Sequence, residues 1–172
     1  MATARQPQHQ QAAPLHRHTL FIAAPMSGLA SDDQYRNVRQ QALVASNRLQ
    51  HLGAIEVYFA GQDIDSTEQF SGQLAGLRTD IAALRRAHGF VMLFPERVAS
   101  SVLIEAGYAM ALDLPMLLLV RDRNDLPYMF QEAEQARDCV GIPPISIQEY
   151  NTDNDLETAL ETWVRETFGK KG

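Results

Sequence analysis

Glu105 is the only charged residue in VLIEAGYAMAL, the stretch Val102–Leu112. An unpaired carboxylate is costly to bury, so an acid in an apolar run is either solvated or present for its chemistry. With Ser100 or Ser101 as cap, Glu105 falls in the first turn of a helix, where the dipole favours its ionised form. A capping-box role would need Ser or Thr three residues earlier, and position 102 is Val. A solvated first-turn acid stays open as the plain alternative. Ala106 and Gly107 are small enough for a ligand to approach closely. Tyr108, three residues on, shares the helix face of Glu105 and could orient it. A second acid, Asp80, lies in TDIAALRRAHGF, on a helix that precedes a strand. Taken alone it reads as a helix-surface acid near Arg85 or Arg86. Two carboxylates in one cleft would suit glycosidic chemistry: one attacks or steadies the anomeric carbon, the other protonates the leaving group.

The elements that must position these residues follow from apolar runs alternating with helical patterns. Strands are predicted over Thr19–Ala24, Ile55–Phe59, Gly89–Phe94, Pro115–Val120 and Pro144–Ile147. A helix over Gln34–Leu52 would be capped by Ser31 or Asp32 and stopped by Gly53. The acidic stretch Ala60–Phe70 reads as a connection. A second helix is predicted over Gly72–Ala87, with Leu74, Leu77, Ile81 and Leu84 facing inward. Val102–Leu112 is a third, Asn124–Arg137 a polar fourth, and Asp155–Phe168 a last one burying Leu156, Leu160, Trp163 and Val164. This alternation implies an α/β, flavodoxin-like three-layer sandwich, with a five-stranded parallel sheet in the order 2-1-3-4-5 and helices on both faces. Ligands of such sheets bind beyond the carboxyl ends of the strands. Those ends lead into PMSG (Pro25–Gly28), PERVASS (Pro95–Ser101) and RDRN (Arg121–Asn124), with Glu105 just past the second.

The remaining composition narrows the classes. In 172 residues, 45% are hydrophobic and 21% charged, which is ordinary for one globular domain. A net charge of −6 argues against a general nucleic-acid surface. The single cysteine, Cys139, permits no internal disulfide and fits a reducing, cytoplasmic setting. No apolar run is long enough to span a bilayer, and no membrane partner is expected. Residues 1–18 lack a signal-peptide apolar region and read as a disordered tail before one domain over residues 19–169. His9, His16 and His18 are weak candidates for metal binding or targeting. Asp63, Asp65 and Glu68 cluster, but without the glycine and final Glu of an EF-hand, so no metal is assigned. No G-x-G-x-x-G follows the first strand, and no cofactor is expected. Arg121, Arg123 and Asn124 could hold an anion such as a 5′-phosphate, or form a solvated loop.

DIAALRRAHGFVMLF followed by SSVLIEAGYAMALDLPMLLLV resembles the nucleoside 2-deoxyribosyltransferase superfamily, which includes nucleoside monophosphate N-glycosidases. Its hallmark is an Asp on a helix before a strand, then a helix opening with E-x-G-[YR]-A. FIAAPMSG resembles the family's first strand and sugar-contacting loop, and the resemblance spans roughly Thr19 to Val120. It implies that Glu105 is the nucleophile at C1′, that Asp80 assists the leaving base, and that Tyr108 is the aromatic after the nucleophile's glycine. It places Ser27 and Gly28 near the sugar or its 5′ substituent; Ser100, Ser101 and Asn124, on the loops at the same strand ends, are expected as further substrate contacts. The implied reaction cleaves an N-glycosidic bond through a covalent ribosyl-enzyme. The family's Asp six residues before the nucleophile is Ala99 here, and the Asp after the Asp80 helix is His88. Both departures shift the implied outcome toward hydrolysis and leave room for a ligand-binding relative without turnover. The expected partner is a small nucleoside or nucleotide, and the family's habit implies a homodimer or larger assembly. Two rivals stay open: a TIR-like NAD glycohydrolase, with SSVLIE as its serine loop and glutamate helix, and a non-catalytic nucleotide sensor.

Overall fold

A computed structural model describes residues 18–66, 73–136, 139 and 141–169. Residues 1–17 of the expected tail, with His9 and His16, lie outside the described residues, as do Glu68 and Arg137. Five strands, β1 (Thr19–Ala23), β2 (Glu56–Phe59), β3 (Gly89–Phe94), β4 (Met116–Val120) and β5 (Ile145–Glu149), form one sheet. All pairings are parallel and the order is β2-β1-β3-β4-β5, as expected. Among the described residues four helices cover the sheet: α1 (Asp32–His51), α2 (Gln73–Leu84), α3 (Val102–Ala111) and α4 (Asp153–Phe168). No described helix is long and apolar enough to cross a membrane.

Every residue of β3 and β4 is buried, because both faces of these central strands are covered. On one face, α1 and α4 pack Val38, Leu49, Leu160 and Trp163 against Leu20, Ile22 and Leu119. On the other, α2 and α3 bring Leu84, Val102 and Ala106 onto Phe21, Phe90 and Met92. Burial of these side chains stabilises the layers by about 1.5–3 kcal/mol for each large apolar residue. Gly89 opens β3 because a Cβ there would come within 2.9 Å of the Trp163 ring and 3.0 Å of Leu20 and Phe168. His18, at the inner end of the expected tail, accepts the Ile55 amide on its carbonyl at 3.0 Å. His88 receives the Thr19 amide on Nδ1 at 3.1 Å, a bond that ties β1 to the start of β3.

The helix ends show local chemistry at work. Ser31 caps α1 by accepting from the Gln34 amide, so the helix starts two residues before the predicted boundary. Thr152 and Asp155 form a reciprocal capping box that likewise starts α4 early. Two expectations are corrected. The predicted helix over Asn124–Arg137 is instead three 3-10 turns, Arg123–Asp125, Tyr128–Phe130 and Ala133–Ala136. Pro127 interrupts it, and Arg123 folds back onto Glu134 at 2.8 Å. In α2 only the second half faces inward: Leu84 is fully buried, whereas Leu74 and Leu77 are 62% and 53% exposed. The helix runs back toward the start of β3, so its first half overhangs the carboxyl edge of the sheet rather than its face.

Candidate active site

A cavity of about 550 Å³ opens at the carboxyl edge, beneath that overhang. This volume suits a small organic ligand. Met26 and Ser27 reach it from the loop after β1, Tyr58 and Ala60 from the end of β2, and Asp80 with Leu77 from α2. Ser101, Ile104 and Glu105 complete it from the start of α3. The two acids singled out from the sequence therefore line one hollow.

The loops that form it are held by specific bonds. Arg39 on α1 donates from Nε to the Gly61 carbonyl at 2.9 Å and from a terminal nitrogen to Gln62 at 2.6 Å. It also pairs with Asp65 at 3.0 Å. The Tyr35 hydroxyl donates to the Ile64 carbonyl at 2.8 Å and fixes the Ile64 side of the cavity. The loops after β1 and β3 meet at Gly28. Its φ is +79°, and a Cβ there would lie 2.5 Å from the Ala99 carbonyl oxygen. Gly28→Ala should therefore cost about 1–3 kcal/mol of stability in urea unfolding, well beyond an ordinary surface change. An unchanged midpoint would show that the two loops do not need this contact.

Glu105 is shaped by burial and by Asp80. Its carboxyl is pushed up to about 7, first by desolvation and then by the Asp80 charge, with a hydrogen bond from Ser101 pulling the other way. The helix dipole was expected to favour the ionised form, and at this depth it is outweighed. Ser101 occupies the N-cap position of α3 without capping it, in keeping with a hydroxyl turned to the carboxylate. Asp80 is also raised by burial, against a lowering hydrogen bond from Tyr58. That bond is 2.7 Å from the Tyr58 hydroxyl to Oδ1. Asp80 is thus not the plain surface acid that its sequence context allows.

Tyr58 was not anticipated from the sequence. The signal was present in the period of β2, since Val57 and Phe59 bury on the α1/α4 face and Tyr58 must then point to the α2/α3 face. Its ring packs 5.1 Å from Phe21, and the phenol is raised well above its ordinary value by burial and by its bond to Asp80. Tyr58→Phe should remove the bond that lowers Asp80, so Asp80 should titrate at higher pH in a carbon-13 NMR titration. An unmoved Asp80 would show that the bond has no electrostatic weight.

Other sequence candidates are placed differently. Tyr108 is outside the cavity lining, and its hydroxyl accepts from Arg85 Nε at 2.8 Å instead of orienting Glu105. Ser100 lies outside the lining too; its hydroxyl oxygen stands 3.5 Å from the Val102 amide. Asn124 is bound to Asp122 at 2.9 Å, away from the cavity. Arg121 stacks 4.3 Å over the Tyr150 ring and donates to its carbonyl, while Arg123 is held by Glu134. The loop after β4 thus spends its cations on its own structure. Gly28 lies beside the cavity in a second hollow that shares Met26 and Ser27 with it.

Comparison with known proteins finds a likeness of fold. No family model matches the chain, and no curated protein matches it in sequence. Solved structures do. The CMP N-glycosidase BcmB of Clostridium botulinum has a TM-score of 0.59 at 17% identity, over 84% of this chain and 98% of that one. BlsM has a TM-score of 0.63 at 17% identity, over 90% and 96%. A conserved protein from Enterococcus faecalis V583 has 0.51 at 13%, over 85% and 98%. At these identities the likeness is one of fold. The shared architecture covers nearly the whole of each neighbour.

Proposed function

We propose that the protein cleaves the N-glycosidic bond of a nucleoside or nucleotide. The observation that carries this reading is the convergence of Glu105 and Asp80 on one apolar-walled cavity at the carboxyl edge. In its ionised form Glu105 attacks C1′ as the bond to the base breaks, forming a ribosyl ester. The one proton that the pair holds, resting on Glu105, sits on Asp80 in the reactive form, and Asp80 gives it to the departing base nitrogen. Asp80, now ionised, then takes a proton from water as that water attacks C1′ and releases Glu105. Ser101 holds the Glu105 carboxylate through its hydroxyl, and Tyr58 holds Asp80. The fold shared with the Clostridium botulinum CMP N-glycosidase supports the class of reaction.

The test is incubation of the full chain with nucleosides, nucleotides and NAD, followed by mass detection of free base. Release of adenine, guanine or a pyrimidine supports the reading. Release of nicotinamide from NAD with none from nucleosides or nucleotides points to an NAD glycohydrolase. A ligand that raises the Tm but survives long incubation intact points to a sensor.

A further inference from the structure

We infer that the cavity is built for an N-glycoside without a 5′-phosphate, a neutral nucleoside in preference to the nucleotide. This rests on the N-glycosidase reading and names its substrate class. Among the described residues, the cavity wall holds two carboxylates and no Lys or Arg. The adjoining hollow, about 380 Å³, is formed by Met26–Asp32 and also has none. The sequence carries no Lys or Arg anywhere from Ala60 to Leu77, the stretch that spans the β2–α2 connection.

Phosphate is ordinarily held by Arg or Lys forks or by free amides at a helix N-terminus. No Lys or Arg lines either hollow, and at the start of α3 the Leu103, Ile104 and Glu105 amides donate to the Ser100 and Ser101 carbonyls. At the start of α1 the Gln34 amide donates to Ser31, and the Ala30 amide donates to the Gln34 side chain at 2.7 Å. The first turn adds Asp32 and Asp33, and the Gln34 side chain in turn holds Glu96 at 2.9 Å. Arg78, exposed on α2 between the lining residues Leu77 and Thr79, is not part of the wall, and three further cations around this edge are engaged by the protein itself. Arg36 is on Asp33, Arg39 on Gly61, Gln62 and Asp65, and Arg97 on the Asn124 carbonyl. The charge of Arg86 reaches Tyr58, but its side chain is not part of the wall. A phosphate monoester carries about −1.5 to −2 at neutral pH. In this cavity it would face the Asp80 and Glu105 carboxylates with no cation in the wall to offset them.

Matched pairs of nucleoside and 5′-monophosphate decide this, with calorimetric affinity and base release measured on the wild-type protein at low and high salt. The nucleoside should bind at least about tenfold more tightly than its monophosphate, with the gap narrowing as salt is raised. Ser27→Arg, which places a cation at the junction of the two hollows, should shift the ratio toward the monophosphate. Equal or tighter binding of the monophosphate overturns the inference, as does failure of every nucleoside to bind. Base release is scored separately. A nucleoside that binds preferentially yet stays intact refutes N-glycosidase activity while upholding the preference.

Discussion

Glu105→Gln should reduce base release by about 10⁴-fold while making the folded protein more stable above neutral pH. The kinetic loss follows from removing the attacking oxygen, since residues acting as nucleophiles carry losses of this order. The stability gain follows from linkage. The folded-state pKa of Glu105 is about 7, above its ordinary 4.5, so the native state holds a proton that the unfolded chain has released. Stability from this proton is fully present below pH 4.5 and is lost as pH rises through 7. Above pH 7 the buried charge costs about 3 kcal/mol. Glutamine keeps the shape without the charge. Thermal unfolding at pH 8 should show a Tm higher by about 5 °C or more, with little difference at pH 4. Equal Tm values at pH 8 would mean that Glu105 is well solvated, which contradicts the site as described.

Asp80→Asn should lower kcat by about 10²–10⁴-fold and change the form of the pH profile. The two acids titrate as a pair, and the reactive form carries one proton between them. In the wild type, kcat/KM should therefore fall above about pH 7, where the last proton leaves. Without the Asp80 charge, Glu105 loses one of the two influences that raise it and ionises at lower pH. The variant should then gain activity as pH rises through the acid range and stay level above neutrality. A substrate whose base is already cationic while bonded to the sugar releases it as a neutral base, needs no acid and should be cleaved at close to wild-type rates. If the variant kept the wild-type descending limb, Asp80 would not be the proton donor.

Much of the scaffold was legible because its signals are local or periodic. GFVMLF and MLLLV are unbroken apolar runs, and only strands covered on both faces tolerate them. Ser31 before α1 is a cap whose side chain acts within three residues, whereas the Thr152 cap, equally local, escapes the sequence reading and leaves the predicted last helix starting two residues late. What stayed hidden depends on contacts distant in sequence. The charge on Glu105 is set by burial and by Asp80, 25 residues away in the chain, neither of which a helix-dipole argument registers. Tyr58 looked like an ordinary strand residue because its partner lies on α2. Leu74 and Leu77 match an inward helical stripe, yet the helix outruns the sheet it would cover. The cations after β4 resembled an anion site until Tyr150 and Glu134 accounted for them.

The central claim is that the Glu105 carboxylate forms a bond to the sugar. A 2′-fluoro nucleoside tests it most directly, because an electronegative substituent beside C1′ slows loss of the ribosyl ester by disfavouring its oxocarbenium-like transition state. After incubation and rapid acid quench, peptide mass mapping should find one sugar on the peptide containing Glu105, with a stoichiometric burst of free base. A sugar on Asp80, or a burst of base from protein that remains unmodified, would contradict the account.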